Sequence, residues 1–266
     1  MDVVTPRKSD IMKLAKELGR VNVEALSAHF DVTPQTIRKD LNDLCEAGLL
    51  QRFHGGAVLS SGVANFGYEA RREFATEEKR LIGLRAAALI PDNCSLLINI
   101  GTTTEQVAMA LRSKKGLLVI SNNINVVNIL LGFEDIEVIM AGGVVRHSDG
   151  GIVGEAAVDF IRQFKVDYAV IGASAIDQDG SLLDYDYREV KVAKAIMENA
   201  RHTILVADSM KYERSAPARI GHMSMLDTFV TDAPPPGPLM QLCAEHGVEV
   251  EIAGPAQSFG LEAAAS

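Results

Sequence analysis

Ile37, Leu41 and Leu44 fall at i, i+4 and i+7, so they line one stripe of a helix that turns about 100° per residue. Gln35, Arg38, Lys39 and Asn42 project from the opposite side. Thr33 stands where an N-cap hydroxyl is needed and Pro34 at the first helical position, which requires no N–H, so a helix is expected to start there. Upstream, Val23–Phe30 repeats the pattern with Val23, Leu26 and Phe30 inward, and Asp31-Val32 turns the chain between the two helices. That order defines a helix-turn-helix. Leu49 to Val58 then alternates as two short strands around Gly55-Gly56, presenting Arg52 and His54 outward as a wing.

A short helix with basic residues on one side is, taken alone, more often a solvated surface. Here the cap, turn, apolar seam, polar face and basic hairpin follow one another in order, and the combination points to DNA. Arg38, Lys39 and Arg52 are suited to phosphates, and Gln35 and Thr36, near the helix start, to base edges. Thr33 and Asn42 complete the candidate face, and His54 either contacts DNA or shapes the wing.

Residues 1–60 are therefore read as a winged helix-turn-helix, 61–74 as a linker with the start of a connecting helix, 75–254 as a larger α/β domain and 255–266 as a tail. The linker begins in the small-residue stretch Ser60–Gly67, and 68–90 reads as a helix, charged and then rich in Ala and Leu. Beyond it, β-rich runs alternate with helical segments: Ser95–Ile100, Leu117–Ile120, Glu137–Met140, Tyr168–Ile171, His202–Ala207, Thr228–Val230 and Glu249–Ile252. The alternation predicts a mostly parallel sheet covered on both faces.

In such sheets ligands collect beyond the carboxyl ends of the strands. The residues there are Gly101, Thr102 and Thr103, then Asn122 and Asn123, then Gly142 and Gly143, then Gly172, and finally Asp208 with Lys211. Glycine, hydroxyls and helix-start N–H groups meet at Gly101-Thr102-Thr103, which makes a phosphate cradle. Any one of these loops is commonly an ordinary βα turn. Five at one edge point to a site for a small phosphorylated molecule.

Charge refines the division. A net charge of −9 argues against a nucleic-acid binder, yet residues 1–60 carry eight basic and eight acidic side chains, so the acidity belongs to the second domain. A neutral headpiece supplies few phosphate contacts, which favours paired headpieces in a dimer or tetramer. The chain has 266 residues and is 47% hydrophobic, enough for two domains, and its apolar runs are too short for a membrane span. The N-terminus lacks a signal-peptide core, so a cytoplasmic location is expected. Cys45, Cys94 and Cys243 have no ligand or disulfide spacing and read as packed thiols, so no metal or cofactor is expected.

The segments VTPQTIRKDLNDL and RFHGGAV resemble the DNA-binding signature of the DeoR family of bacterial repressors. INIGTT, SNNINVVN, AGGVVRHSDGGIVGE, DGSLLDYDYREV, ENARH and TDAPPP resemble its effector domain, in the branch that senses glycerol 3-phosphate. The resemblance spans nearly the whole chain. It implies a repressor of glycerol 3-phosphate metabolism genes that leaves operator DNA when a phosphorylated inducer binds, and an effector domain similar in fold to ribose-5-phosphate isomerase.

That similarity raises an enzymatic rival, an isomerase fused to a headpiece. Glu189 resembles the catalytic glutamate of those isomerases, and Asp208 with Lys211 resembles one of their conserved turns. Their glycine-rich loop with an electrophilic lysine is replaced here by Ala175–Ser181, which contains no lysine. Glycerol 3-phosphate also has no carbonyl to isomerise, so the inherited groups are expected to bind rather than catalyse. Glu189 could equally pair with Lys191 or Lys194 on a helix surface.

Overall fold

The structure, a computed structural model, describes residues 5–18, 20–53, 55–59, 68–73 and 75–254. His54, most of the expected linker and the tail lie outside the described residues. Helix α1 (Pro6–Leu18) leads into strand β1 (Arg20–Asn22), α2 (Val23–Phe30) and α3 (Pro34–Glu46), and then into β2 (Leu50–Phe53) and β3 (Gly56–Leu59). Thr33 caps α3 by accepting the Thr36 N–H at 3.3 Å, with Pro34 in the first turn. Asp31 ends α2 in the left-handed conformation, which aspartate tolerates better than most residues, and so sets the turn between the helices. Val23, Leu26, Ile37, Leu41 and Leu44 are buried together with Ile11, Met12 and Leu49, and Phe30 packs against them. The β2–β3 hairpin is the expected wing. Its third strand, β1, pairs antiparallel with β3 and was not foreseen, being only three residues long.

The helix expected over 68–90 is broken into α4 (Tyr68–Glu73) and α5 (Thr76–Leu89). Ala75 adopts a left-handed φ of 50°, which no helix can contain.

The second domain continues through β4 (Ser95–Ile98), α6 (Thr102–Leu111), β5 (Leu117–Ser121), α7 (Ile124–Leu130), β6 (Ile136–Met140), the β7–β8 hairpin (Val144–Val145 and Ile152–Val153) and α8 (Glu155–Ile161). It closes with β9 (Val166–Ile171), β10 (Ala175–Ile176), β11 (Ser181–Asp184), α9 (Tyr187–Glu198), β12 (Ala200–Val206), a 3-10 turn (Ser209–Glu213), β13 (Ala218–His222), β14 (Thr228–Thr231), α10 (Gly237–His246) and β15 (Glu249–Ile252). All seven runs expected to be strands form one parallel sheet, in the order β15-β14-β12-β9-β4-β5-β6. One apolar layer on the sheet includes residues of α8, α9 and α10, and the other includes residues of α5, α6 and α7. From β4 the chain builds outward to β6 and then crosses back to β9, so the order reverses between β4 and β9. That reversal opens a crevice at the carboxyl ends of the two strands.

Two smaller features reach over the crevice. Strands β10, β11 and β13 form an antiparallel sheet and β7–β8 a hairpin, and residues from both line the crevice, Asp184 and Ile220 from the sheet and Arg146 from the hairpin loop. Met210, in the 3-10 turn after β12, is buried in the apolar cluster formed by the headpiece.

Candidate functional site

On α3 the apolar stripe turns inward and the polar stripe outward. Gln35, Arg38, Lys39 and Asn42 are exposed, Thr36 is half-buried and Arg52 is exposed on β2. Thr33 is exposed, but its hydroxyl is engaged by Thr36 through the cap and a 2.9 Å contact between the two hydroxyls, so it shapes the helix start. Two of the three acidic residues of the same helix, Asp40 and Asp43, are neutralised from behind. Arg7 donates to Asp40 at 2.6 Å and Lys8 to Asp43 at 2.6 Å. Arg38 and Lys39 form no ion pair among the described residues, so the outward face is left net positive.

The second site is a cavity of about 40 Å³ at the β4/β9 crevice. Gly101, Thr102 and Thr103 form one wall at the start of α6. Gly101 takes a φ of 144°, a conformation suited to glycine, and offers no capping side chain, so the first amides of α6 have no helical acceptor. The Thr104 hydroxyl donates to the carbonyls of Asn99 and Gly101, both at 2.8 Å, and fixes the loop. Gly172 and Ser174 follow β9, and Ser174 donates to Asp184 at 2.7 Å.

Charged groups close the cavity: Lys211 from the 3-10 turn, Glu189 from α9, Arg146 from the loop after β7 and Arg71 from α4. Arg146 grips Asp149 with two hydrogen bonds of 2.8 and 2.7 Å and reaches Asp186 at 3.0 Å. Burial opposes the charge on Arg146, but Asp149 outweighs it and holds the guanidinium firmly protonated. Burial pushes the Lys211 ammonium well below its ordinary range, aided by Arg214. Burial likewise raises the Glu189 carboxyl well above the carboxylate range, opposed by Arg146. Neither carboxylate oxygen of Glu189 has a hydrogen-bond partner. Burial thus disfavours the charged form of both groups, and an arriving anion would favour the charged lysine and the neutral acid.

Gly101, Thr102, Thr103, Gly172, Glu189 and Lys211 are thereby brought together, whereas Asn122, Asn123, Gly142, Gly143 and Asp208 do not line the cavity. Asn122 donates to the Ile152 carbonyl at 3.1 Å, and Asn123 caps α7 and donates to Glu105 at 3.2 Å. Gly142 is exposed, and a side chain at Gly143 would press within 3.0 Å of Ile152 and Val153. Asp208 is buried next to the charges of Lys79 and Lys211 and acts behind the wall. Glu189 faces the cavity and makes no ion pair with Lys191, which binds Glu155 instead. Arg71 and Arg146 were not singled out from sequence. Arg146 lies three residues before Asp149 in a segment already notable for its glycines, the one local signal available, and Arg71 offers none.

A winged helix-turn-helix with an exposed basic face, joined to a crevice lined by basic side chains and helix-start amides, defines a ligand-responsive transcription regulator. The chain belongs to the DeoR family: residues 7–62 match its helix-turn-helix domain and residues 75–233 its C-terminal sensor domain. It is 47% identical over 248 residues to the glycerol-3-phosphate regulon repressor of Escherichia coli (strain K12), covering 93% of this chain and 98% of that one. The Haemophilus influenzae protein of the same name is 47% identical over 231 residues, covering 87% and 90% of the two chains. A solved ribose 5-phosphate isomerase A from Neisseria gonorrhoeae superposes with a TM-score of 0.36 and 19% identity over 50% of this chain and 52% of its own. Among the described residues no helix is long and apolar enough to cross a membrane.

Proposed function

We propose that the protein represses genes of glycerol 3-phosphate metabolism, holding operator DNA through paired headpieces and releasing it when glycerol 3-phosphate enters the β4/β9 cavity. The observation that carries this reading is the convergence of the α6 amides with Arg71, Arg146 and Lys211 on one small space. Uncapped helix amides and basic side chains together suit a phosphoryl group. The near end-to-end 47% identity to the glycerol-3-phosphate regulon repressor supports the choice of effector. In the headpiece, Arg38, Lys39 and Arg52 meet phosphates, while Gln35, Thr36 and Asn42 face base edges. Such a regulator works in the cytoplasm, as a dimer or larger even assembly matched to paired half-sites.

Glu189 and Lys211 serve binding in this reading, because glycerol 3-phosphate carries no carbonyl for a base to enolise. Release requires the effector to prefer one conformation of the repressor, and each tenfold loss of operator affinity needs about 1.4 kcal/mol of differential binding. Gel shifts on promoter DNA of glycerol 3-phosphate uptake genes, with and without the effector, test it. Operator occupancy is expected to fall with glycerol 3-phosphate and to be indifferent to fructose 1-phosphate and galactitol phosphates. Unchanged occupancy at saturating glycerol 3-phosphate refutes the choice of effector, and release by one of the other phosphates reassigns it.

A further inference from the structure

Arg71 sits on α4, six residues long, just beyond the stretch that connects to the headpiece. Its guanidinium lines the sensor cavity, and its Nε is buried without a hydrogen-bond partner. Its nitrogen Nη2 reaches Asp149 at 3.3 Å. Asp149 is already committed, accepting two shorter bonds from Arg146 at 2.8 and 2.7 Å and one from the Gly151 N–H at 3.2 Å. Arg71 is therefore the junior partner of that carboxylate and keeps unused donor capacity, which is unfavourable at its buried Nε.

We infer that Arg71 is a direct ligand of the effector's anionic group and that its transfer from Asp149 to that anion moves α4, passing the signal towards the DNA-binding headpiece. The inference rests on the effector reading given above. The geometry favours it in two ways. The cavity is small, about 40 Å³, so a phosphoryl group entering it meets the side chains of its lining directly. Most of the lining belongs to the body of the domain: the α6 start, the loop after β9, the 3-10 turn, Glu189 of α9 and Arg146 after β7. The short α4 is held by fewer ties, among them Arg71–Asp149, the Tyr68 hydroxyl on Glu105 at 3.0 and 2.8 Å, and the Lys79 ammonium on the Arg71 carbonyl. A planar guanidinium also matches a phosphoryl group with two parallel hydrogen bonds, an arrangement its single long bond to Asp149 does not achieve.

The test is calorimetry of glycerol 3-phosphate, and separately of inorganic phosphate, on the full chain, free and bound to operator DNA. Wild type is expected to bind glycerol 3-phosphate about tenfold or more tightly when free than when bound to operator. Arg71→Gln is expected to weaken effector binding about tenfold or more and to bring the ratio between the two states towards one. Arg71→Lys is expected to recover part of the affinity through charge alone, and melting curves of both variants verify that they are folded. A folded Arg71→Gln protein that binds the effector within about twofold of wild type overturns the ligand role. Weakened binding with the wild-type ratio intact overturns the coupling role. Wild type that binds neither probe removes the effector reading itself, a result distinct from either failure of Arg71.

Discussion

Replacing Gly83 by alanine tests how closely the proposed phosphate cradle is supported. Gly83 lies buried in α5 against α6, and a Cβ there would stand 2.6 Å from the backbone carbon of Gln106 and 2.7 Å from its carbonyl oxygen. Ordinary contact begins near 3.4 Å, so the two helices must part by about 0.8 Å, the gap between those values, because backbone offers no rotamer to move aside. Overpacking of this kind costs about 1–3 kcal/mol, and the helix preference of alanine over glycine returns about 0.5–1 kcal/mol. The net loss is about 0–2.5 kcal/mol, which lowers the melting temperature of a domain of this size by up to about 10 °C. A shift of α6 also displaces the amides of Thr102 and Thr103, so effector affinity should fall as well. Differential scanning calorimetry and effector titration measure the two effects. A raised melting temperature refutes the reasoning, since a glycine with free space beside it would gain stability on substitution.

Arg38→Ala should weaken operator binding, reduce the slope of log K against log salt by about one and leave effector affinity unchanged; an unaltered slope means Arg38 meets no phosphate. Because burial lowers the Lys211 ammonium and raises the Glu189 carboxyl, and an anion favours charged lysine and neutral acid, effector binding should take up protons. Affinity should then fall as the pH rises through the titration of these groups, and the binding enthalpy should differ between buffers of unlike ionisation heat. A buffer-independent enthalpy contradicts the shifted pair.

The recognition helix was legible because its determinants are local: the Thr33 cap, Pro34 and the Ile37, Leu41, Leu44 stripe all lie within twelve residues. The inner strands of the sheet were legible as apolar runs, since strands buried on both faces need continuous hydrophobic residues, while the edge strands β6 and β15 are partly exposed and interrupt their apolar residues with Glu137, Glu249 and Glu251. Their order was not, and the order decides which strand ends share a crevice. Asn122, Asn123, Gly142 and Gly143 follow β5 and β6, which stand out from the reversal point, and so they fall outside the cavity although they occupy the same edge of the sheet. The loops after β4 and β9 flank the reversal and meet there. Arg71 and Arg146 come from elements that lean over the sheet from elsewhere in the chain, so no periodicity or spacing marks them. The short β1 and the break at Ala75 were missed for a related reason: each is fixed by neighbours in space rather than by nearby sequence.

Met210 fills part of the headpiece interior although it belongs to the turn that also holds Lys211. The DNA reader thus borrows a piece of its hydrophobic centre from the other half of the molecule. Severed from its companion, the first sixty residues would carry a raw apolar spot where that thioether had been. A chimera that exchanged reading heads between relatives would inherit a mismatched plug, with the misfit seated next to Lys211, which lines the β4/β9 cavity.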